Sequence, residues 1–254
     1  MTLAVVGSVQ LRDQEPIAQG SSRLVFEHPD DPSQLVKVLK LYWPVAATPA
    51  DFLQSPGKLL KRRYKFARFM REVRQFVDAR QRDDDPINLH LPEFNGLVRT
   101  DMGYGMAVQG LRSENGELAP TLKQLIKTDQ FTPDLVDPLE EFLDHVQSSP
   151  VVIGDMNMKN LVLTGADSDE PTRFALIDGM GDSTLIPVLA MNRRLNERRK
   201  QYFAERIRGR YEQTLRRLAL PMLAFLPIPL SFVGGDCACY SMVWLQGMEA
   251  ALYD

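Results

Sequence analysis

The chain has 254 residues, 44% of them hydrophobic and 25% charged, with 30 basic side chains against 33 acidic ones and a net charge of −3. Those proportions are those of a folded globular protein, and they argue against a disordered chain, a collagen-like repeat or a polytopic membrane protein. The two cysteines, Cys237 and Cys239, stand one residue apart, which suits neither a disulfide framework nor a zinc site, and the uncharged first eleven residues lack the basic start of a secretory signal, so a cytoplasmic protein is expected.

Three strand-like runs open the chain at 15–19, 23–27 and 34–41, separated by Gly20-Ser21-Ser22 and by a turn cluster from His28 to Ser33. The second and third form a hairpin, and Lys37 lies in the middle of its apolar second arm, Leu35-Val36-Lys37-Val38. A helix is predicted over 58–82, because Tyr64, Ala67, Met70, Val73 and Val77 recur at threes and fours, with Glu72 in its second half. The run Asp83-Asp84-Asp85-Pro86 ends it. Strands at 93–100 and 104–111, joined through Asp101-Met102-Gly103, make a second hairpin.

From about residue 112 the texture turns helical. Asp137, Pro138 and Glu140 read as an N-cap, a first-turn proline and a capping-box acid, opening a helix through Val146 with Leu139, Phe142, Leu143 and Val146 on one face. Short apolar strands follow at 160–164 and 173–177. Between Arg193 and Arg217 ten basic residues face three glutamates, a net of +7. The spacing there is helical, and a solvated helix is the default reading. Leu195, Tyr202, Phe203 and Ile207 on one side leave an anionic partner or a membrane surface open as alternatives, and no specific nucleic-acid motif is present. Residues 218–235 carry no charge, and Pro221, Pro227 and Pro229 would break a spanning helix there, so 218–254 reads as a packed irregular tail or a partner contact.

The chemistry concentrates in two places. An apolar run Val151-Val152-Ile153-Gly154 delivers Asp155 with Asn160 five residues on, and a second apolar run ending in Ile177 delivers Asp178. A hard cation such as Mg²⁺ needs oxygen ligands of this kind. Phosphoryl transfer needs such a cation, a base beside the attacking hydroxyl, and a positive group on the phosphates that stay behind. Lys37 can supply that last charge. An unpaired ammonium in an apolar strand is costly, which makes Glu72 its natural ion-pair partner. His28, His90 and His145 share no spacing and read as surface or core residues.

The order of glycine hairpin, strand lysine, helix glutamate, D-x-x-x-x-N loop and strand-borne D-G resembles the protein-kinase-like superfamily. More narrowly, residues 16–187 resemble the PhoP regulatory network protein YrbL family, in the His28-Pro29 turn, the Arg71-Glu72 pair, the segment from Gly96 to Asp101, the Lys159-Asn160 loop and the segment from Gly181 to Pro187. Gly154-Asp155 to Asn160 and the Ile177-Asp178 pair also resemble aminoglycoside and choline kinases. The resemblance implies an α+β, bilobal kinase-like fold: an N-lobe over 1–111 with a small antiparallel sheet and one helix, a reduced and mainly helical C-lobe over 112–217, and a tail outside it.

It further implies that Gly20, Ser21, Ser22 and Arg23 cover the phosphates of ATP, that Lys37 contacts them under orientation by Glu72, and that Lys159 belongs to the nucleotide site. The adenine would lie against the backbone from Gln109 to Leu111. Asp155 would be the catalytic base, and Asn160 and Asp178 would hold Mg²⁺. The expected activity is transfer of the ATP γ-phosphate to a hydroxyl of a non-protein acceptor. Two other classes stay open: a nucleotide-binding regulatory module acting through partners, and a basic protein of the membrane surface.

Overall fold

Alternation along the early strands sets the first layer. A computed structural model describes residues 8–20, 22–40, 56–113, 115–166, 171–182 and 188–224. Strands β1 (Ala18–Gln19), β2 (Arg23–His28), β3 (Asp31–Leu39), β4 (Phe94–Thr100) and β5 (Gly103–Gln109) form one antiparallel sheet in the order β1-β2-β3-β5-β4. Successive side chains of β3 point to opposite faces. Val36 and Val38 join Leu11 and Phe26 in a small cluster on one side. Leu35 turns to the other, where it meets Phe69, Val73 and Phe76 of helix α1 (Pro56–Arg80). Lys37, two residues after Leu35, shares the face that looks at α1.

After α1, a 3₁₀ turn at Pro86–His90 is capped by Asp85, whose carboxylate accepts from the Ile87 amide. Helix α2 (Leu122–Lys127) follows the sheet and starts at a full capping box of Thr121 and Gln124. Helix α3 (Val136–Ser148) buries Leu139, Phe142, Leu143 and Val146, the face expected from the sequence. Its start differs, because a 3₁₀ turn at Pro133–Leu135 runs straight into it, so Asp137 lies inside the first turn and complements the helix dipole instead of capping it. A two-stranded antiparallel ribbon, β6 (Leu161–Thr164) with β7 (Arg173–Leu176), carries the remaining chemistry-bearing loops.

A single helical turn, α4 (Val188–Met191), and a long helix, α5 (Arg193–Ala224), close the described chain. The arginine-rich segment is not solvated all round. Asn196, Lys200, Phe203, Ala204, Ile207, Tyr211 and Thr214 form a buried stripe at threes and fours, and Phe203, Ile207 and Tyr211 enter the main core. Nor does Pro221 break the helix. It falls in the last turn, where its missing N–H costs a single backbone bond, and the helix continues to Ala224.

The architecture is a mixed α+β one. The chain divides into two compact units, 1–216 and 217–254. Of the second, the description reaches only to Ala224, so the expected tail beyond it lies outside the described residues. Among the described residues no helix is long and apolar enough to cross a membrane.

Candidate functional site

Three elements bring charge to one buried place. Register pairs Val25 of β2 with Lys37 of β3, so Arg23, two residues before Val25, lies on the same face of the sheet as the lysine. From the facing helix, α1 supplies Glu72. From the end of β7 comes Asp178. Arg23, Lys37 and Glu72 are all buried, whereas the Asp178 side chain is 41% exposed.

The partners are not those the sequence suggests. Glu72 ion-pairs with Arg23, which also reaches Asp178 Oδ1 at 3.4 Å and lies over the Phe69 ring. Lys37 instead donates from Nζ to the Ile177 carbonyl at 2.5 Å. The expected Lys37–Glu72 pair is thus replaced, for a geometric reason. The guanidinium of Arg23 presents five donors in a planar fork and spans from Glu72 to Asp178, while the Lys37 ammonium is taken by the Ile177 carbonyl. Burial lowers the pKa of Lys37 against the pull of Glu72 and Asp178. Burial also pushes the Glu72 carboxyl up, more than Arg23 pulls it down. For Asp178 the balance reverses: burial would raise it, but Arg23, Lys37 and the Gly179 amide together hold it low. Arg23 Nε and Glu72 Oε1 are buried with no hydrogen-bond partner among the described residues.

Asp155 is placed by backbone. The amides of Gly154 and Asp155 both donate to the Gly179 carbonyl, at 3.0 and 3.1 Å, and Asn160 donates from Nδ2 to the Asp155 carbonyl at 3.2 Å. Asn157 donates to Asp155 Oδ1 at 3.2 Å, and the Ile177 amide donates to the Asn160 carbonyl at 2.9 Å. This clasp draws Asp155, Asn160 and Asp178 into one site. It demands glycine at 179: φ is +101°, and a Cβ there would lie 1.9 Å from the Asp155 carbonyl oxygen.

The clasp is held from behind by α5. Asn196 donates to the Val151 carbonyl at 3.0 Å and accepts from the Ile153 amide at 3.4 Å, Lys200 donates to the Ser149 carbonyl at 2.6 Å, and Arg199 reaches the Gly154 carbonyl at 3.4 Å. Ser149 in turn donates to Asp85 at 2.8 Å. Burial lowers the Lys200 ammonium to about 8.

The glycine hairpin is tight. The Gly20 amide donates to the Arg23 carbonyl at 3.0 Å, and the Ser22 carbonyl accepts from the Lys40 amide at 2.9 Å. Ser21 lies outside the described residues. At the far end of β5, the Gln109 and Gly110 amides donate to the Glu93 and Ser33 carbonyls, while the Leu111 carbonyl accepts from Ala119. Lys159 is exposed, at the turn between Asp155 and Asn160, with its amide on the Asn157 side chain.

Two histidines also meet. His90 hydrogen-bonds the Phe174 carbonyl through Nδ1 at 2.7 Å and His145 Nδ1 through Nε2 at 2.8 Å. A carbonyl can only accept, so His90 Nδ1 carries the proton and His145 Nδ1 donates to His90 Nε2. The pair locks the turn at Pro86–His90 to α3 and β7, and burial lowers the His90 pKa.

For a divalent cation the donor set is one carboxylate, Asp178, and one amide oxygen, that of Asn160, whose nitrogen is already committed to the Asp155 carbonyl. Hard oxygens of this kind suit Mg²⁺, which keeps waters and takes phosphate oxygens to fill its remaining positions. Among the described residues no group of three histidine, cysteine or acidic side chains could hold a metal alone. The site fits Mg²⁺ as a partner of bound phosphates.

Comparison with known proteins gives a family and two relatives. A family model described as PhoP regulatory network protein YrbL matches residues 9–212. The uncharacterized protein YrbL of Escherichia coli (strain K12) and that of Shigella flexneri are each 21% identical over 186 residues, which cover 71% of this chain and 77% of the relative.

Proposed function

The chain belongs to the PhoP regulatory network protein YrbL family, and we propose that it is a kinase-like phosphotransferase that moves the ATP γ-phosphate to a hydroxyl on a non-protein acceptor. In this reading the five-stranded sheet with α1 is the nucleotide-clamping lobe, and the segment from α2 onward is a reduced helical lobe. The observation that carries it is the convergence of Lys37, Glu72 and Asp178 in one cluster, with Asp155 fixed beside it by the Gly179 clasp.

Each residue has a task its surroundings allow. Lys37 presents a positive charge to the phosphates that remain on the nucleotide. Asp155, held by Asn157 at one oxygen, accepts the acceptor's hydroxyl proton. Asn160 and Asp178 would hold Mg²⁺, which supplies charge neutralisation on the phosphates. Glu72 orients the cations around it, and the α5 residues Asn196, Arg199 and Lys200 keep the Asp155 loop in place.

A second reading rests on an observation of its own. Arg23 ties up both Glu72 and Asp178 and leaves Lys37 on a backbone carbonyl. A site in that state suits a nucleotide-binding regulatory module without transfer. A phosphate-release and transfer screen over sugars, amino alcohols and lipid headgroups, run on wild type against Asp155→Asn, separates the two. Transfer that falls about 10²- to 10⁴-fold in the variant supports the enzyme. ATP binding with no transfer in either protein supports the module.

A further inference from the structure

We propose that a cavity between α1 and the segments flanking Asp155 and Asp178 binds a small molecule that bears a phosphate group. Its volume is about 430 Å³, within the range of small-ligand sites. At the helical spacing of threes and fours, positions 71, 74, 75 and 78 of α1 share one face, and Arg82 follows just past the end of the helix. Arg71, Arg74, Gln75 and Arg82 line the cavity from that side, and Val152, Gly181 and Met191 line it from later in the chain. None of Arg23, Lys37, Glu72, Asp155 and Asp178 belongs to the lining, so the cavity is distinct from the charge cluster.

The polar groups of the lining are mostly donors. Gln75 accepts the Val152 amide through Oε1 at 2.9 Å, which fixes its side chain, and its Nε2 makes no hydrogen bond among the described residues. Arg74 and Arg82 each have one long ion pair there, to Asp78 at 3.4 Å and to Asp85 at 3.5 Å. Arg71 reaches the Asp182 carbonyl at 3.5 Å. Asp85 is outside the lining and already accepts from the Ile87 amide and the Ser149 hydroxyl. Asp182 is buried and accepts the Leu189 amide at 2.6 Å, and even with it counted the lining sets three arginines against two aspartates. Phosphate, a tetrahedral dianion, can take donors from several directions at once, whereas a single guanidinium fork serves a carboxylate. Pro150, Val152 and Met191 add an apolar wall on which an organic body can rest. Val152 stands three residues before Asp155 and Gly181 three after Asp178, and a Cβ at Gly181 would lie 3.2 Å from the Arg71 backbone. A ligand held here therefore ties α1 to both loops. Its binding does not depend on the phosphotransfer reading.

The test is calorimetric titration of inorganic phosphate and of glycerol 3-phosphate into the full chain, without nucleotide, with sodium chloride at equal ionic strength as the control. Saturable binding of the phosphate probes and none of chloride is expected. Arg74→Gln together with Arg82→Gln weakens it by at least about tenfold, through lost charge-assisted hydrogen bonds. Gln75→Glu, which keeps an oxygen for the Val152 amide and replaces the donor with a negative charge, does the same. Tighter binding of the ester assigns the site to phosphate esters, tighter binding of phosphate assigns it to the free ion, and either supports the proposal. Thermal midpoints check that both variants fold, and if one does not, the other decides. Binding of neither probe to wild type, or binding that both cavity variants keep, would overturn the proposal. So would binding lost in Lys37→Met and kept in the cavity variants, which would place the anion at the charge cluster. Failure of ATP to bind would instead count against the phosphotransfer reading alone.

Discussion

Two buried polar clusters lie within one compact unit, and they are built on opposite terms. Behind the Asp155 loop, Lys200, Asn196 and Ser149 bond to backbone groups and to Asp85. On the other side, Arg23, Lys37, Glu72 and Asp178 face one another across three elements, and Arg23 Nε and Glu72 Oε1 are left without partners among the described residues. Buried polar atoms are normally satisfied, and an unsatisfied one costs about 1–3 kcal/mol. The first cluster holds a loop. The second stores unmet hydrogen-bonding capacity beside a half-exposed carboxylate, as a ligand site does.

The contrast can be broken most forcefully at the charge cluster. Glu72→Gln strands Arg23 between one carboxylate and an amide, and is expected to cost about 3–5 kcal/mol in urea unfolding. It also removes any stabilisation by ATP and Mg²⁺. If that variant unfolded like wild type, the cluster would not be the buried network described.

The clamp should answer to pH instead. The folded chain releases the Lys200 proton at about 8, while the unfolded chain does so only near ~10.4. Between those values the unfolded state binds more protons, so this residue's contribution to stability rises with pH across the window and is least favourable below it. Lys200→Met should therefore gain most over wild type at pH 7, and that advantage should shrink, by on the order of 3 kcal/mol, by pH 10.5. An advantage that does not change with pH would show that Lys200 titrates normally.

Asn196→Ala, which orphans the Ile153 amide and the Val151 carbonyl, should cost about 2 kcal/mol. The thermal shift on adding ATP and Mg²⁺ should survive it. Loss of the shift with unchanged stability would reverse the roles of the two clusters.

How much of this could be read from sequence follows from where each signal lies. Strand runs and the Asp155-to-Asn160 and Asp178 loops are local patterns, and the structure has them. The α1 face expected through Tyr64, Ala67, Met70, Val73 and Val77 is not the one buried: Val73 is buried, but Met70 and Val77 are exposed, and Phe69, Glu72, Phe76 and Ala79 turn inward, where Phe69 and Glu72 meet Arg23 of the sheet. Arg23 as the partner of Glu72 was not legible, because it depends on the β2–β3 register that sets Val25 against Lys37. A slip of one residue would turn Arg23 to the other face. The His90–His145 contact joins residues 55 apart through two elements and has no sequence pattern. Other misses had a signal. Thr121 with Gln124 is a capping box that marks α2, and Asn196, Lys200, Phe203, Ile207, Tyr211 and Thr214 keep a buried period beneath the arginines. Three of those buried positions, Asn196, Lys200 and Thr214, are polar, so the period is not an apolar one, and of the four residues expected on one side Phe203 and Ile207 are buried while Leu195 and Tyr202 are exposed.

The central claim is that the charge cluster receives a nucleotide. Calorimetric titration of ATP with Mg²⁺ into wild type, Lys37→Met and Asp178→Ala tests it directly. Saturable binding in wild type that is lost in both variants is the predicted result. No heat in wild type, or binding that neither substitution alters, would contradict the account.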